Sequence, residues 1–285
     1  MKKTTSLLLL FIASIFIQAT MPAYKIYNSK GKEINFEKMA NKISSADVIL
    51  FGELHNNSIS HWLQFELTKA LYETKGNKLL LGSEMFEADD QIKINEYFSN
   101  YITQKYFEKE ARIWPNYKTD YKPPFEFAKE KKLKYIATNI PRRYASFVST
   151  KGLDSLQLLS SEAKTFIAPL PIDFDPELPG YKKMAKMMRG HSISYLPQAQ
   201  ASKDATMAHF ILKNLKEGQI FLHFNGAYHS NNHEGIYWYL KKQNKNLKII
   251  TITTIEQDDI KNFDDEIKNM ADYFIVVDSD VTKTY

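Results

Sequence analysis

Apolar runs that stop abruptly at polar residues recur along the chain and predict the strands of a buried sheet. Residues 48–51 are continuously apolar and lead into Gly52, Glu53 and His55. Strands covered on both faces show such runs, whereas half-exposed strands alternate apolar and polar positions. On this basis we predict strands at residues 47–51, 78–82, 134–138, 219–224, 247–253 and 272–277.

Between these strands the apolar residues recur every three or four positions, which is the spacing of a helix packed on one face. This spacing predicts helices at residues 36–44, 59–74, 89–98, 125–132, 198–216 and 234–242. Before the first of these helices, the turn residues at 28–32 predict a small hairpin at 24–34. Alternating strands and helices favour parallel pairing with right-handed crossovers. The predicted fold class is therefore α/β, a mostly parallel sheet with helices on both faces.

One stretch breaks this rhythm and predicts a smaller helical insertion or lid at residues 152–198. Five prolines punctuate it, and it contains a basic, methionine-rich helical segment from Tyr181 to His191. Long irregular connections in compact domains usually have a function of their own. The predicted α/β domain therefore comprises residues 20–151 and 199–285.

The N-terminal residues have the pattern of an export signal. Lys2 and Lys3 precede an apolar stretch at 7–17, and Ala19 offers a small residue for cleavage. That stretch is short for a membrane span and typical of a signal peptide. We expect residues 1–19 to be removed on export, with an uncleaved signal anchor as the alternative. No later segment is long and apolar enough to cross a bilayer.

Composition excludes several classes of site. The 285 residues include no cysteine, which excludes disulfides, thiolate metal sites and cysteine nucleophiles. The formal net charge is +5, but the charges are interspersed, so nucleic acid is not an expected partner. No glycine-rich phosphate loop and no Gly-x-Ser-x-Gly elbow follows any predicted strand.

Carboxylates and imidazoles gather where three predicted strands end. Parallel strands deliver their carboxyl ends to one edge of the sheet, where ligands bind in this class of fold. Such a cluster can bind a divalent metal or perform acid–base chemistry. Alternatively, its members cap helices and bond loop backbone. The cluster comprises Glu53, His55, His61, Glu84, Glu87, His229 and His233.

The basic segment of the insertion carries a second kind of chemistry. A tyrosinate can ligate haem iron, cations can pair with the haem propionates, and methionines can cover the macrocycle. Alternatively, this segment is a surface helix with a solvated basic face and a methionine stripe packed on the core. The residues concerned are Tyr181, Lys182, Lys183, Met184, Lys186, Met187, Met188, Arg189 and His191.

Several motifs in a fixed order resemble the ChaN-like family of bacterial iron-regulated haem-binding lipoproteins. The resemblance implies an α/β domain with a helical insertion, and ferric haem bound through tyrosine for iron uptake. It also implies a homodimer that buries the haem, and outer-membrane haem uptake components as partners. The matching stretches are residues 51–55 with His61 and Trp62, 82–86, Trp114, 137–142, 199–208 and 225–229.

Within this resemblance we place the iron ligand at Tyr181, because it lies among cations and methionines. The candidate propionate partners are Lys182, Lys183, Lys186 and His191, with Met184 and Met188 against the macrocycle. Tyr144, Tyr195 and Tyr228 remain alternative ligands.

Two features qualify the resemblance. Lipoproteins of the family carry a cysteine after the apolar stretch, whereas this chain has Thr20, so we expect a periplasmic form without a lipid anchor. The strand-end cluster also resembles, more distantly, erythromycin-esterase-like and metalloprotease-like proteins. That likeness implies an alternative function, a metal-dependent hydrolase using Glu53, His55 and His229. An exported scaffold without a ligand is a third possibility.

Overall fold

The computed structural model describes residues 22–187 and 195–285, and it confirms the α/β fold class. The signal peptide predicted at 1–19 lies outside the described residues, as do Met188 and His191. In the described part of the chain, no helix combines the length and the apolar character needed to cross a membrane.

In the part of the chain that the structure describes, eight strands, numbered in chain order, form one sheet in the order β2-β1-β8-β7-β3-β6-β4-β5. The strands from β8 to β5 run parallel to one another, and β1 and β2 add an antiparallel hairpin at one edge. The strands are β1 (Tyr24–Asn28), β2 (Glu33–Ile34), β3 (Val48–Glu53), β4 (Leu79–Glu87), β5 (Lys134–Asn139), β6 (Ile220–Gly226), β7 (Ile249–Gln257) and β8 (Tyr273–Asp278).

Helices cover both faces of this sheet, as the continuously apolar strands require. Side chains of alternate residues in β3 enter two separate cores, because successive residues of a strand point to opposite faces. Ile49 and Phe51 pack on the side of α2 and α5, whereas Val48 and Leu50 pack on the side of α8 and α9. The helices are α1 (Phe36–Ile43), α2 (Ser58–Lys75), α3 (Gln91–Phe98), α4 (Gln104–Glu110), α5 (Lys122–Glu130), α6 (Arg142–Lys151), α7 (Pro179–Met187), α8 (Leu196–Asn214) and α9 (Ile236–Gln243).

Strand β4 differs from its predicted extent. The sequence predicted an end at Gly82, but the strand continues through Glu87, and all its residues are buried. Its pairing with β5 shifts register between Ser83 and Glu87. Within this extension Glu84 accepts from the Gly226 amide and pairs with His229, so the polar run does not mark the end of the strand.

The stretch predicted as an insertion contains no strand in its described residues. Short 3-10 turns at 153–158 and 163–166 precede α7. Leu156 and Ile167 share a small core with Val148 of α6 and Ala199 of α8, so this stretch packs directly on the α/β domain. Its action as a lid stays a prediction.

Candidate functional site

The carboxyl ends of β3, β4 and β6 meet in the middle of the sheet and bring the strand-end cluster together. Glu53 of β3 lies beside Gly226 of β6, and β6 pairs on its other side with β4, which carries Glu84. His55 and His229 follow directly after β3 and β6. We call the open space around these side chains the strand-end cleft.

Glu53 and His55 form a carboxylate–imidazole pair at the floor of this cleft. His55 Nδ1 lies 2.9 Å from Glu53 Oε1, and because a carboxylate only accepts, Nδ1 is the donor. The Glu53 side chain is 1% exposed, whereas that of His55 is 39% exposed. The pair therefore joins a buried carboxylate to an imidazole that reaches the solvent.

Other donors hold the Glu53 carboxylate in place. The Gln64 amide donates to Oε2, and the Tyr121 hydroxyl donates to Oε1. Burial alone would raise the pKa of Glu53, but the imidazoles of His61 and His55 and the Tyr121 hydroxyl outweigh burial and lower it. Burial also opposes the charge on His55, yet Glu53 and Glu84 raise the pKa of His55 above its ordinary value.

A second buried network lies on the β6 side of the cleft. His229 Nδ1 is 2.5 Å from Asp204 Oδ1, and His229 Nε2 is 3.0 Å from Glu84 Oε1. Burial opposes the imidazolium, but the two carboxylates raise the pKa of His229 to about 10. Burial likewise opposes the charge on Glu84, but the pairing with His229 lowers its pKa overall. At Asp204 burial prevails over the pairing and raises the pKa.

Two adjoining cavities make up the strand-end cleft. They have volumes of about 330 Å³ and about 410 Å³, and both are lined by His55, Glu84 and Lys203. Trp114, Arg142 and Tyr285 line the smaller cavity, and Gln200 and Tyr228 line the larger one. Cations, carboxylates and aromatic rings therefore share the walls of the cleft, since Glu84 and Glu87 line it together with Lys203 and Arg142.

Of the remaining members of the predicted cluster, His61 and Glu87 lie close to the cleft, and His233 does not. His61 is buried, with Nε2 at 3.1 Å from the His55 carbonyl oxygen, and Glu87 lines the smaller cavity. His233 lies elsewhere, with Nε2 at 3.6 Å from Asp272. Within residues 22–187 and 195–285, no three His, Asp or Glu side chains surround one point as metal ligands would.

The structure places Tyr181 inside the molecule. The side chain is 4% exposed, and its hydroxyl donates to Asp204 Oδ2 at 2.7 Å. Burial and the Asp204 carboxylate both raise the pKa of Tyr181, which opposes a tyrosinate. The assignment of Tyr181 as iron ligand stays a prediction, and it requires the phenol to leave Asp204.

The other predicted haem contacts that lie within the described residues are on α7. Lys182, Lys183 and Lys186 are exposed, and Met184 is partly buried. Lys182 pairs with Glu177 at 2.5 Å. Among the alternative tyrosines, Tyr195 is 38% exposed and Tyr228 is 44% exposed. Tyr144 is intermediate in exposure and stacks against the guanidinium of Arg143.

Several residues of the site were not predicted as functional. Asp204 and Lys203 lie on α8, and Gln64 and Tyr121 approach from the opposite face of the sheet. Asp204 carried a signal in the sequence, because its spacing puts it on the apolar face of the predicted helix, with Ala208 and Ile211. A carboxylate is rarely fully buried unless it is paired.

Comparison with known proteins identifies the family and the fold. A family model described as "Haem-binding uptake, Tiki superfamily, ChaN" matches residues 39–240. No curated protein sequence matches the chain.

Two solved structures illustrate the likeness of fold. ChaN of Campylobacter jejuni, described as showing cofacial haem binding, aligns with a TM-score of 0.65 and 18% identity, covering 89% of this chain and 96% of its own. A protein from Bacillus cereus aligns with a TM-score of 0.53 and 10% identity, covering 85% of this chain and 90% of its own. At these identities, the likeness shows a shared fold.

Proposed function

Because the chain belongs to the haem-binding uptake family of ChaN and the Tiki superfamily, we propose that it binds ferric haem as cargo through a tyrosine ligand. The family match is the observation that carries this proposal. It spans β3 to most of α9, so it includes the strand-end residues Glu53, His55, Glu84 and His229, helix α7 and all four candidate tyrosines.

The side chains on and around α7 suit haem. Exposed lysines can pair with the two propionate carboxylates, and Met187, with 71% of its surface exposed, offers an apolar contact for the macrocycle. A phenolate oxygen is an established ligand of haem iron. The described residues therefore supply the donor types that haem needs.

Exposure favours Tyr228 over Tyr181 as the ligand. The Tyr228 hydroxyl donates to the Gly180 carbonyl oxygen at 2.6 Å, at the start of α7, and its ring lines the strand-end cleft. Iron binding at Tyr228 costs one exposed hydrogen bond. Binding at Tyr181 would break a buried bond to a carboxylate, which costs more.

Haemin titration of tyrosine variants tests the ligand. We expect Tyr228→Phe to shift the Soret band of the complex and to weaken binding by tenfold or more, on the order of 1.4 kcal/mol. Tyr181→Phe should keep the wild-type spectrum, as should the matched control Tyr237→Phe on α9. A changed spectrum in Tyr181→Phe alone would restore Tyr181 as the iron ligand. If Tyr228→Phe, Tyr181→Phe, Tyr195→Phe and Tyr144→Phe all kept the wild-type spectrum, a tyrosine ligand would be contradicted.

We also propose that two haem-loaded copies pair. The support is the cofacial haem binding described for ChaN of Campylobacter jejuni, which matches this fold over most of its length. In such a pair, the lysines of one copy's α7 would be available to the propionates of the other copy's haem. Outer-membrane haem uptake components are the proposed source or recipient of the cargo.

Export to the periplasm without a lipid anchor is the proposed location. Its support is the signal-like pattern of residues 1–19 and Thr20 in place of a lipid-bearing cysteine. N-terminal sequencing of the protein from the periplasmic fraction should find Thr20 first. Recovery of chains that begin at Met1, in the membrane fraction alone, would contradict this.

A further inference from the structure

We propose that the free edge of strand β5 binds an extended, acidic segment of a partner protein, which adds to the sheet as a further strand. Among the described strands, β5 is the last in the sheet and pairs only with β4. Its outer edge opens into a cavity of about 490 Å³ between α3 and α8, which we call the edge groove. The edge groove shares no lining residue with the strand-end cleft, so the proposal does not depend on haem binding.

The edge groove lies where the next strand of the sheet would lie. Ile94 and Phe98 of α3 line it and pack in the core on one face of the sheet. Phe210 of α8 also lines it and belongs to the core on the other face. Successive side chains of a strand point to opposite faces. An added strand would therefore pack its alternate side chains against the two helices.

The side chain of Gln91 already occupies the position of one residue of such a strand. Its Nε2 donates to the Tyr135 carbonyl oxygen at 3.1 Å, and its Oε1 accepts from the Ala137 amide at 2.7 Å. In a parallel pair, one residue makes these same two bonds, to the residues before and after the one that it faces. The carboxamide of Gln91 therefore takes the place of a peptide group opposite Ile136.

One backbone donor in the edge groove lacks a partner. The N–H and C=O groups of a strand residue point to the same side, so the Tyr135 N–H faces the groove together with its carbonyl group. Tyr135 is 2% exposed, and among the residues that the structure describes nothing accepts from its N–H. A buried donor left unpaired costs free energy. An added strand would supply the missing acceptor.

The bonds of Gln91 do not prevent this addition. Gln91 is partly exposed, and rotation about its side-chain bonds frees the edge without moving any backbone. Its two bonds to β5 are then replaced by two backbone bonds from the added strand, and its amide can bond water. Because hydrogen bonds are exchanged rather than lost, the net cost of the displacement is small.

The charge of the edge groove selects an acidic partner. Lys134 and Lys213 line it, no carboxylate does, and neither lysine forms an ion pair with another described residue. Both lie at the amino end of the strands, because β5 begins at Lys134 and α8 ends at Asn214, just before β6. Two unpaired cations favour an anionic partner. A segment parallel to β5 would therefore carry its carboxylates at its own N-terminal end.

Fluorescence anisotropy of labelled peptides tests the proposal. The probe is a fluorescein-labelled peptide of two glutamates followed by alternating valine and threonine, which favour extended backbone. We expect saturable binding to the whole protein, with or without haemin. Lys134→Glu combined with Lys213→Glu should weaken binding by roughly tenfold or more, and should strengthen binding of the same peptide with lysines in place of the glutamates.

The Gln91→Ala variant tests the role of the carboxamide. It should bind the acidic peptide roughly tenfold more tightly, because the peptide no longer displaces a side chain from β5. Amide hydrogen exchange at Tyr135 should slow when the peptide is bound, in the wild type and in the variant. Unchanged exchange at Tyr135 in the presence of saturating peptide would overturn addition to this edge.

Two controls separate strand addition from general adsorption. Peptides methylated at alternate backbone nitrogens are made in both registers, and only the one whose methyl groups point away from β5 should bind. Lys38→Glu combined with Lys245→Glu changes the net charge equally at exposed positions outside the edge groove, and should bind as the wild type does. Absence of saturable binding, equal binding of both methylated peptides, or equal weakening in the two charge-reversed variants would overturn the proposal.

Discussion

His229 shows how burial and charge compete at a single residue. Its imidazole is 5% exposed, and burial alone would keep it neutral. The carboxylates of Glu84 and Asp204, at 3.0 Å and 2.5 Å, reverse this and raise the pKa of His229 to about 10. The charged imidazole neutralises a site where two acidic side chains meet beneath the cleft.

This pairing predicts a pH dependence of stability. The pKa of His229 rises from 6.5 in the unfolded chain to about 10 in the folded one. Its contribution to the free energy of unfolding is therefore complete below about pH 6.5 and is lost as the pH rises through 10. We expect the urea midpoint of the wild type to fall between pH 7 and pH 10.

The matched variant is the double substitution Glu84→Gln with His229→Gln, which removes both charges and keeps amides able to form hydrogen bonds. Its urea midpoint should change less over the same pH range, measured in parallel. Equal slopes for the two proteins would show that His229 is not held in its charged form.

At the scale of elements, the sequence located the strands of the sheet, but it ended β4 and β7 too early, at Gly82 and Thr253. The apolar run at 48–51 forms β3, and the stretch at 219–224, which His223 interrupts, forms β6. Strand β4 continues through Ser83 and Glu84, whose partners are distant in the chain: Thr138 of β5 donates to the Ser83 carbonyl oxygen, and His229, in the turn after β6, pairs with Glu84. A local pattern cannot reveal such distant partners.

Helix α7 illustrates the same limit. Its basic, methionine-rich sequence indicated a surface helix, and its lysines are indeed exposed. Tyr181 nevertheless turns inward to Asp204, a residue of α8, and Glu234 accepts from the Gly180 amide at 2.6 Å. These contacts anchor the start of α7 to the α/β domain, and they bury the phenol that the neighbouring cations and methionines had suggested as the iron ligand.

At the scale of the whole molecule, the order of the strands creates the cleft. Strands β3, β6 and β4 are adjacent in the middle of the sheet, although β6 follows β4 in the chain by more than a hundred residues. Convergence of Glu53, His55, Glu84 and His229 was predictable from polar residues at strand ends, because parallel strands share one carboxyl edge. The exclusion of His233 and the inclusion of Asp204 were not, since both depend on how the loops and α8 pack.

Haem binding between two copies is the claim that joins these features, and one measurement tests it most directly. The protein is titrated with haemin while Soret absorbance and light-scattering mass are recorded on the same samples. We predict that absorbance saturates at one haem per chain and that the mass doubles at the same point. Absorbance that rises without saturation, or a mass that stays at one chain when the haem is bound, would contradict the claim.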